Sequence, residues 1–331
     1  MSISSEFLTK LGVQDDFCIQ LKKQTPTSPF WEPISEEPVW LPMEEREKYI
    51  EALIELHSGL ERQGPGDPDF SEYIIGRIPD PPPNPRIADI GCGAGAGTLF
   101  LAEKYHSKVK AVDFSREFLD QLMERARQKG LEGLVEPIMS DMGRLDWERG
   151  TIDLLWSEGA AYNITFEGAL KAWRPLMAVD GTAVISEMNY FSDDVPEIVT
   201  RYMKNVYPGI KTEPENVDLI NSSGFQVLGV HRLPSRAWWK NYYDPLRENI
   251  RVSKNSGDNV MQAVISETEE EMRFFEEHEK DYGYTFYIMR ARRNFPRTID
   301  VDSKEPRAVC KSHLAPLTSL KTRSKCSFTS M

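Results

Sequence analysis

Cysteine and histidine are scarce in this chain of 331 residues, and neither is clustered. The four cysteines, Cys18, Cys92, Cys310 and Cys326, form no C-x-x-C pair, which argues against a disulfide framework and a zinc cluster. The five histidines are equally scattered, and no metal site is expected. No apolar run approaches the length of a membrane span, and the N-terminal MSISSEFLTKLGVQDDFCIQLKK lacks the continuous apolar stretch of a signal peptide. A reduced, cytoplasmic protein is expected. Positive charge is also in deficit, the formal net charge being -12. Non-specific nucleic-acid binding needs clustered positive charge to displace counterions from phosphates. The expected partner is therefore a small molecule, not nucleic acid or a membrane, and the sequence is silent on oligomeric state.

What remains is ordinary globular bulk, 40% hydrophobic and 28% charged, with marked punctuation. Residues 25–42 hold five prolines among aromatics and carboxylates, so residues 1–43 read as an extended N-terminal arm. From Glu44 to Arg62 the residues Ile50, Leu53, Ile54, His57 and Leu60 recur at helical spacing until RQGPG at 62–66 stops the helix. A second helix is predicted from Asp69 to Ile78. PDPPPNP at 79–85 stiffens the chain into a linker, so residues 44–84 form a helical cap.

From residue 85 the hydrophobic period alternates. Strand-like runs at Arg86–Ile90, Lys108–Asp113, Leu134–Ser140, Thr151–Ser157, Gly181–Glu187, Gly224–Leu233 and Gly283–Ala291 are interleaved with amphipathic segments such as Phe114–Lys129 and Phe166–Leu176. Such alternation implies right-handed βαβ crossovers. The predicted fold class is α/β: a Rossmann-like, doubly wound, mostly parallel seven-stranded sheet with an antiparallel last strand. This domain spans 85–293, with an aromatic, helical insertion at about 235–280 that ends in an acidic run, Glu267–Glu279, read as a solvated helix face. Residues 294–331 read as a disordered basic tail.

Four glycines fall in the seven residues 91–97, between the first strand and a helix. A strand ending in Asp89, then Gly91, Gly93 and Gly95, lets backbone N–H groups approach a ligand closely. About twenty residues on, Asp113 ends the second strand, where a carboxylate accepts from both ribose hydroxyls. The pairing indicates a nucleoside cofactor. Gly91-x-Gly93-x-x-Ala96 also fits a relaxed dinucleotide fingerprint. Asp89 ahead of the turn, "MSDM" at 139–142 and the antiparallel last strand favour S-adenosylmethionine instead. In that arrangement Asp89 fixes the turn and the cofactor's amino-acid end, and Asp141 accepts from the adenine amino group.

D-I-G-C-G-A-G at 89–95, "VDFS" at 112–115, "SDM" at 140–142 and "LLWSEGAAYNI" at 154–164 resemble class I S-adenosylmethionine-dependent methyltransferases, of the broad group that includes ubiquinone/menaquinone biosynthesis enzymes. The chain is more closely similar to small-molecule methyltransferases of unassigned substrate. These carry RQGPG before the domain, W-S-E-G-x-x-Y-N-I after the fourth strand, S-E after the fifth and Y-G-Y-x-F-Y-I at the end, matched here at Arg62–Gly66, Trp156–Ile164, Ser186–Glu187 and Tyr282–Ile288. The resemblance covers about residues 44–292. It departs at Val179-Asp180-Gly181, where a proline-glycine-glycine turn is usual.

The resemblance implies transfer of a methyl group from S-adenosylmethionine, with S-adenosylhomocysteine as product. Cofactor contacts fall to Arg62, Gln63 and Gly64 as a lid, to Asp89, Gly91, Cys92, Gly93 and Gly95, to Asp113 and Phe114, to Asp141 and Met142, and to Glu158. Cys92 packs beneath the cofactor. Methyl transfer needs alignment, exclusion of water and removal of a proton, so the catalytic candidates are few: Glu158, Tyr162 and Glu187, at the carboxyl ends of the fourth and fifth strands. Substrate-binding candidates are Tyr162, Asn163 and Glu187, with Trp238, Trp239, Tyr242 and Tyr243 as an aromatic lid. His231 is a further candidate base. Two carboxylates in one mouth favour a nitrogen or oxygen nucleophile. A nicotinamide-dependent oxidoreductase and a non-catalytic binding module are the competing readings.

Overall fold

In the computed structural model of the chain, residues 43–293 are described. The N-terminal arm and the basic tail lie outside these residues. The apolar runs become β1 (Ile87–Ile90), β2 (Val109–Asp113), β3 (Val135–Met139), β4 (Ile152–Ser157), β5 (Met177–Tyr190), β7 (Phe225–Arg232) and β8 (Tyr282–Ala291). They form one sheet in the order β3-β2-β1-β4-β5-β8-β7. Strands β1 to β5 run parallel, and β8 is antiparallel to both β5 and β7. A two-residue strand absent from the sequence reading, β6 (Lys211–Thr212), pairs with the end of β5. All four residues of β1 are buried, as a strand covered on both faces requires. Because β1 lies between β2 and β4, the chain reverses its winding direction there, and a crevice opens beyond the carboxyl ends of β1 and β4.

The helices are α1 (Met43–His57), α2 (Pro68–Ile75), α3 (Ala96–Tyr105), α4 (Arg116–Lys129), α5 (Phe166–Trp173), α6 (Glu197–Val206), α7 (Glu213–Ser222), α8 (Asp244–Ser253) and α9 (Asn259–His278). Their ends follow local chemistry. Asp67 caps α2 through the Phe70 N–H with proline at the first position, Ser115 caps α4, and Gly130 ends α4 in the left-handed conformation. Thr212 and Glu215 form a capping box on α7. Among the described residues no helix is long and apolar enough to cross a membrane, and no group of three or more His, Cys, Asp and Glu side chains could hold a metal.

The alternation of side chains along the strands divides the core. Trp156, Val184 and Phe286 belong to one buried cluster, with Leu56, Ile74 and Phe275 of the cap. Leu155, Ile185 and Tyr287 belong to another, with Phe166 and Trp173 of α5 and its border. Three features differ from the sequence reading. The first helix ends at His57, so 62–66 is free to fold as a separate segment. Val179-Asp180-Gly181 lies inside β5, where the pairing with β4 shifts register and Asp180 takes φ 63°; it is an irregularity in a strand, not a turn before one. The acidic run on α9 is not a solvated face throughout: Tyr49 donates to Glu267 Oε2 at 2.5 Å and Tyr243 to Glu271 Oε1 at 2.6 Å.

Candidate active site

The glycine turn sits at the mouth of the crevice, but its N–H groups are already occupied. Gly91 and Cys92 donate to the Val112 carbonyl at 2.8 and 2.9 Å, and Gly95 to that of Cys92 at 3.0 Å. Gly93 donates to Asp113 Oδ2 at 2.8 Å and Ala94 to Gln63 Oε1 at 2.7 Å. The expectation that these N–H groups point at a ligand is corrected accordingly. The missing side chains make room for protein instead: a Cβ at Gly91 would collide with Ala160, one at Gly93 with the Gln63 amide and one at Gly95 with Leu122. Cys92 is buried in an apolar cluster with Leu99, Ala111 and Leu119, and burial pushes its thiol pKa up.

What faces the crevice is carboxylate and ring. Asp113 accepts from Gly93 and, through Oδ1, from Ser115 at 2.9 Å, which orients its carboxylate and leaves lone pairs over. Burial holds its pKa above the ordinary value, against the pull of these N–H groups. Beside it Phe114 is 38% exposed, an open ring on the rim. Asp141 accepts from Gly143 at 2.7 Å through Oδ1 and lies 3.9 Å from Arg144 through Oδ2. Met142 reaches toward Gly91 from below. Asp89, fully enclosed, accepts from Thr98 at 2.6 Å; burial, with Glu158 and Asp113 nearby, raises its pKa to about 7.

The 62–66 segment is fastened over this turn. Arg62, 8% exposed, meets Glu158, 11% exposed, at 2.6 Å. Glu158 Oε1 also accepts from Trp156 Nε1 at 2.8 Å and Ser71 Oγ at 3.2 Å. Gln63 donates to the Leu60 carbonyl while capping Ala94; Gly64 has open space around it. Arg125 of α4 donates to the carbonyls of Gly59, Leu60, Glu61 and Ala94, tying the segment to the turn, and Asn241 holds the Gly66 carbonyl at 2.9 Å.

A second group of polar side chains gathers around Glu187, in the last stretch of pairing before the end of β5. Glu187 is 1% exposed; Tyr207 donates to its Oε1 at 2.5 Å, and its Oε2 has no hydrogen-bond partner among the described residues. Burial raises the Glu187 pKa to about 8, against the pull of Tyr207. Tyr162 packs edge-on to Tyr207 with ring centroids 6.1 Å apart. Tyr162, Tyr242, Tyr284, Glu187 and Glu271 act on one another's charge, whereas Asp89, Asp113, Glu158 and Arg62 form a separate electrostatic group. Glu158 is held by Arg62, Trp156 and Ser71 and Glu187 by Tyr207, so the two carboxylates share no hydrogen-bond partner among the described residues.

Other candidates fall elsewhere. Asn163 donates to Ala160 and closes its own loop. Trp238 stacks on Phe275 at 4.0 Å and on Tyr284 at 5.4 Å, and Tyr243 is fully buried, so both are cap core and not lid surface. Trp239 binds Glu279 and stacks under Arg247. Tyr242 approaches His57 Nε2 at 3.1 Å, at the junction of α1 and the acceptor side. His231 meets Tyr73 at 3.4 Å on β7, away from the crevice. A cavity of about 220 Å³, walled by Phe191, Trp238, Phe275 and Tyr282, includes no residue of the glycine turn. Sequence reasoning missed Thr98, Ser71, Arg125, Tyr207, Glu271 and Tyr284; of these, Tyr284 carried a signal inside Y-G-Y-x-F-Y-I and Glu271 one in its helical spacing with buried residues.

Known proteins are similar to this chain in sequence and fold. A family description, Methyltransferase domain, matches residues 87–181. The methyltransferase GfsG of Streptomyces halstedii is 32% identical over 72 residues, 22% of this chain and 26% of that protein. A sarcosine/dimethylglycine N-methyltransferase of Halorhodospira halochloris is 28% identical over 76 residues, 23% of this chain and 27% of that protein. The matched segments therefore span about a quarter of these relatives. A solved S-adenosylmethionine-dependent methyltransferase of Geobacter sulfurreducens, in complex with S-adenosylhomocysteine, superposes with a TM-score of 0.63 at 18% identity, covering 73% of this chain and 98% of that one. Residues 87–181 are a methyltransferase domain, set in the fold of the class I S-adenosylmethionine-dependent methyltransferases.

Proposed function

We propose that the protein transfers a methyl group from S-adenosylmethionine to the nitrogen or oxygen of a small-molecule acceptor and releases S-adenosylhomocysteine. The observation that carries this reading is the convergence, at the crevice beyond β1 and β2, of Asp113 with lone pairs to spare, the open ring of Phe114, and Asp141 with Met142. A nucleoside fits that set: two ribose hydroxyls for Asp113, and a flat base between Phe114 and Met142 with its amino group toward Asp141. The solved relative's complex with S-adenosylhomocysteine supports the assignment.

When bound, the cofactor supplies a methyl group on a sulfonium. The chain's own residues then orient, enclose and deprotonate. Asp89 and the closed turn from Gly91 to Gly95 form the floor beneath the amino-acid end, and Arg62, Gln63 and Gly64, with Glu158, cover it. Tyr162 and Glu187 face the acceptor, where alignment and exclusion of water are the main demands.

Calorimetric titration with S-adenosylmethionine, S-adenosylhomocysteine and NADH, with Asp113→Ala as control, tests the reading. Binding of the sulfur nucleosides that is lost in Asp113→Ala is the expected result. A preference for NADH would replace the reading with a nicotinamide-dependent one, and no nucleoside binding would leave a binding module.

A further inference from the structure

Among the carboxylates of the two groups, Glu187 is the one with a fully buried oxygen that lacks a hydrogen-bond partner among the described residues. Its Oε1 holds the Tyr207 hydroxyl, and its Oε2 is buried without a donor among the described residues. Such an oxygen is costly to maintain unless a ligand supplies the donor. Beside it stands Tyr162, packed edge-on to Tyr207 and with 40% of its surface exposed, so the group around Glu187 reaches the surface through this ring.

The ionisable groups gathered around Glu187 are acids and phenols. Glu187 comes from β5, Tyr207 from the end of α6, Tyr162 from the loop after β4, Tyr284 from β8, Tyr242 from the turn before α8, and Glu271 from α9, where Tyr243 holds it. The ionisable side chains that bear on Tyr162, Tyr242 and Tyr284 are the carboxyls of Glu187 and Glu271 and other tyrosines, and burial keeps these tyrosines neutral. The cofactor group, by contrast, contains Arg62. The basic side chain in contact with the group, His57 on Tyr242, has its pKa lowered by burial, so an acidic, ring-lined site complements a cation, which gains both from an ionised Glu187 and from the ring faces.

Resting on the methyl-transfer reading, we propose that the acceptor is a primary or secondary amine that enters as an ammonium ion and donates to Glu187 Oε2 between Tyr162, Tyr207 and Tyr284. Binding of the ammonium displaces to solvent the proton that Glu187 holds near neutral pH; the ammonium then passes one of its own protons to the resulting carboxylate, which frees the nitrogen lone pair. The lone pair forms the N–CH3 bond as the S–CH3 bond breaks, and the sulfonium electrons return to sulfur. The products are S-adenosylhomocysteine, the methylated ammonium and protonated Glu187, the state in which the next ammonium meets it.

Three probes of one frame, benzylammonium, benzyl alcohol and benzoate, test this by calorimetry on the full chain, with and without excess S-adenosylhomocysteine. The proteins are the wild type, Glu187→Gln and Tyr207→Phe. Benzylammonium is expected to bind about ten-fold more tightly than the alcohol, with benzoate excluded. The preference disappears in Glu187→Gln and is retained in Tyr207→Phe, which keeps the carboxylate; unchanged S-adenosylhomocysteine affinity reports that both variants are folded. Equal binding of ammonium and alcohol, a preference that survives Glu187→Gln, or no ammonium binding at millimolar concentration overturns the proposal. Equal binding is also what a negative field serving only the sulfonium would give. Failure of S-adenosylhomocysteine to bind the wild type, with the ammonium preference intact, would instead remove the methyl-transfer reading and leave the cation site standing.

Discussion

Replacing Arg62 by methionine probes the fastening of the 62–66 segment most directly. The guanidinium lies 2.6 Å from Glu158 Oε2 with both side chains about nine-tenths buried, so its loss strands a carboxylate in a poorly solvated place. Breaking a buried pair in this way costs about 3–5 kcal/mol. Glu158 retains Trp156 and Ser71 as donors, which puts Arg62→Met at the lower end, about 3 kcal/mol. Glu158→Gln strands the guanidinium instead and costs a similar amount. The double variant leaves no uncompensated charge, so it is expected to lose about 3 kcal/mol and not 6, a coupling of about 3 kcal/mol. For a domain of this size each single variant then melts roughly 6–12 °C lower. Urea unfolding of the four proteins measures the cycle. Additive losses below about 1 kcal/mol apiece would mean that the pair behaves as a solvated surface bridge, and the segment would not be fastened as described.

Three further outcomes follow from single residues. Phe114→Ala removes an exposed ring, so thermal stability should change by no more than about 0.5 kcal/mol, while S-adenosylhomocysteine affinity falls about ten-fold through lost stacking; unchanged affinity would take Phe114 out of the cofactor site. Gly93→Ala places a Cβ at φ 52° against the Gln63 amide and should cost about 1–2 kcal/mol, part of which a second change, Gln63→Ala, restores in urea unfolding. Glu187, with its pKa raised from 4.5 to about 8, binds its proton more tightly folded than unfolded. Its contribution to stability is therefore full below pH 4.5 and is lost as pH rises through about 8. Glu187→Gln should flatten the decline of the urea midpoint between pH 5 and 9, and parallel pH profiles for the two proteins would refute the assignment.

The parts legible in the sequence were those whose contacts are local or periodic. Strand β1, the glycine turn, α3 and Asp113 lie within one βαβ unit, so the residues that touch are close in sequence and their types are fixed by the turn. The fold class followed from the alternation of strand and helix. The acceptor side was less legible because its partners arrive from far apart: Tyr207 joins Glu187 from the end of α6, and Glu271 and Tyr284 come from elements that follow β7. Arg125 carries no pattern that distinguishes it from any exposed helix arginine, since it works by binding four carbonyls of other segments. The misread acidic run did hold a signal. Glu267 and Glu271 fall on the same helical stripe as Val264, Thr268, Met272 and Phe275, all buried, so helical spacing placed these two acids inward even though composition suggested a solvated face.

On the proposed reading, the division of the polar side chains into two electrostatic groups also explains the spacing of W-S-E-G-x-x-Y-N-I. Glu158 belongs to the group with Arg62 and Asp89, and Tyr162, four residues on, to the group with Glu187. Gly159 between them takes φ 60° and donates to Ser186 Oγ at 2.7 Å, which pins the loop to β5 one residue before Glu187. A single short loop therefore carries one contact toward the methionine end of the cofactor and one toward the acceptor, with its middle anchored to the strand that supplies the proton acceptor. Methyl transfer requires nucleophile, methyl and sulfur to be held nearly in line, and one rigid loop shared by both ends fixes that line better than two independent ones. Because Glu158 and Glu187 share no hydrogen-bond partner among the described residues, the two acids can serve different ends of that line: Glu158 is neutralised by Arg62 at the cover over the cofactor, and Glu187 keeps an oxygen for the amine and its proton.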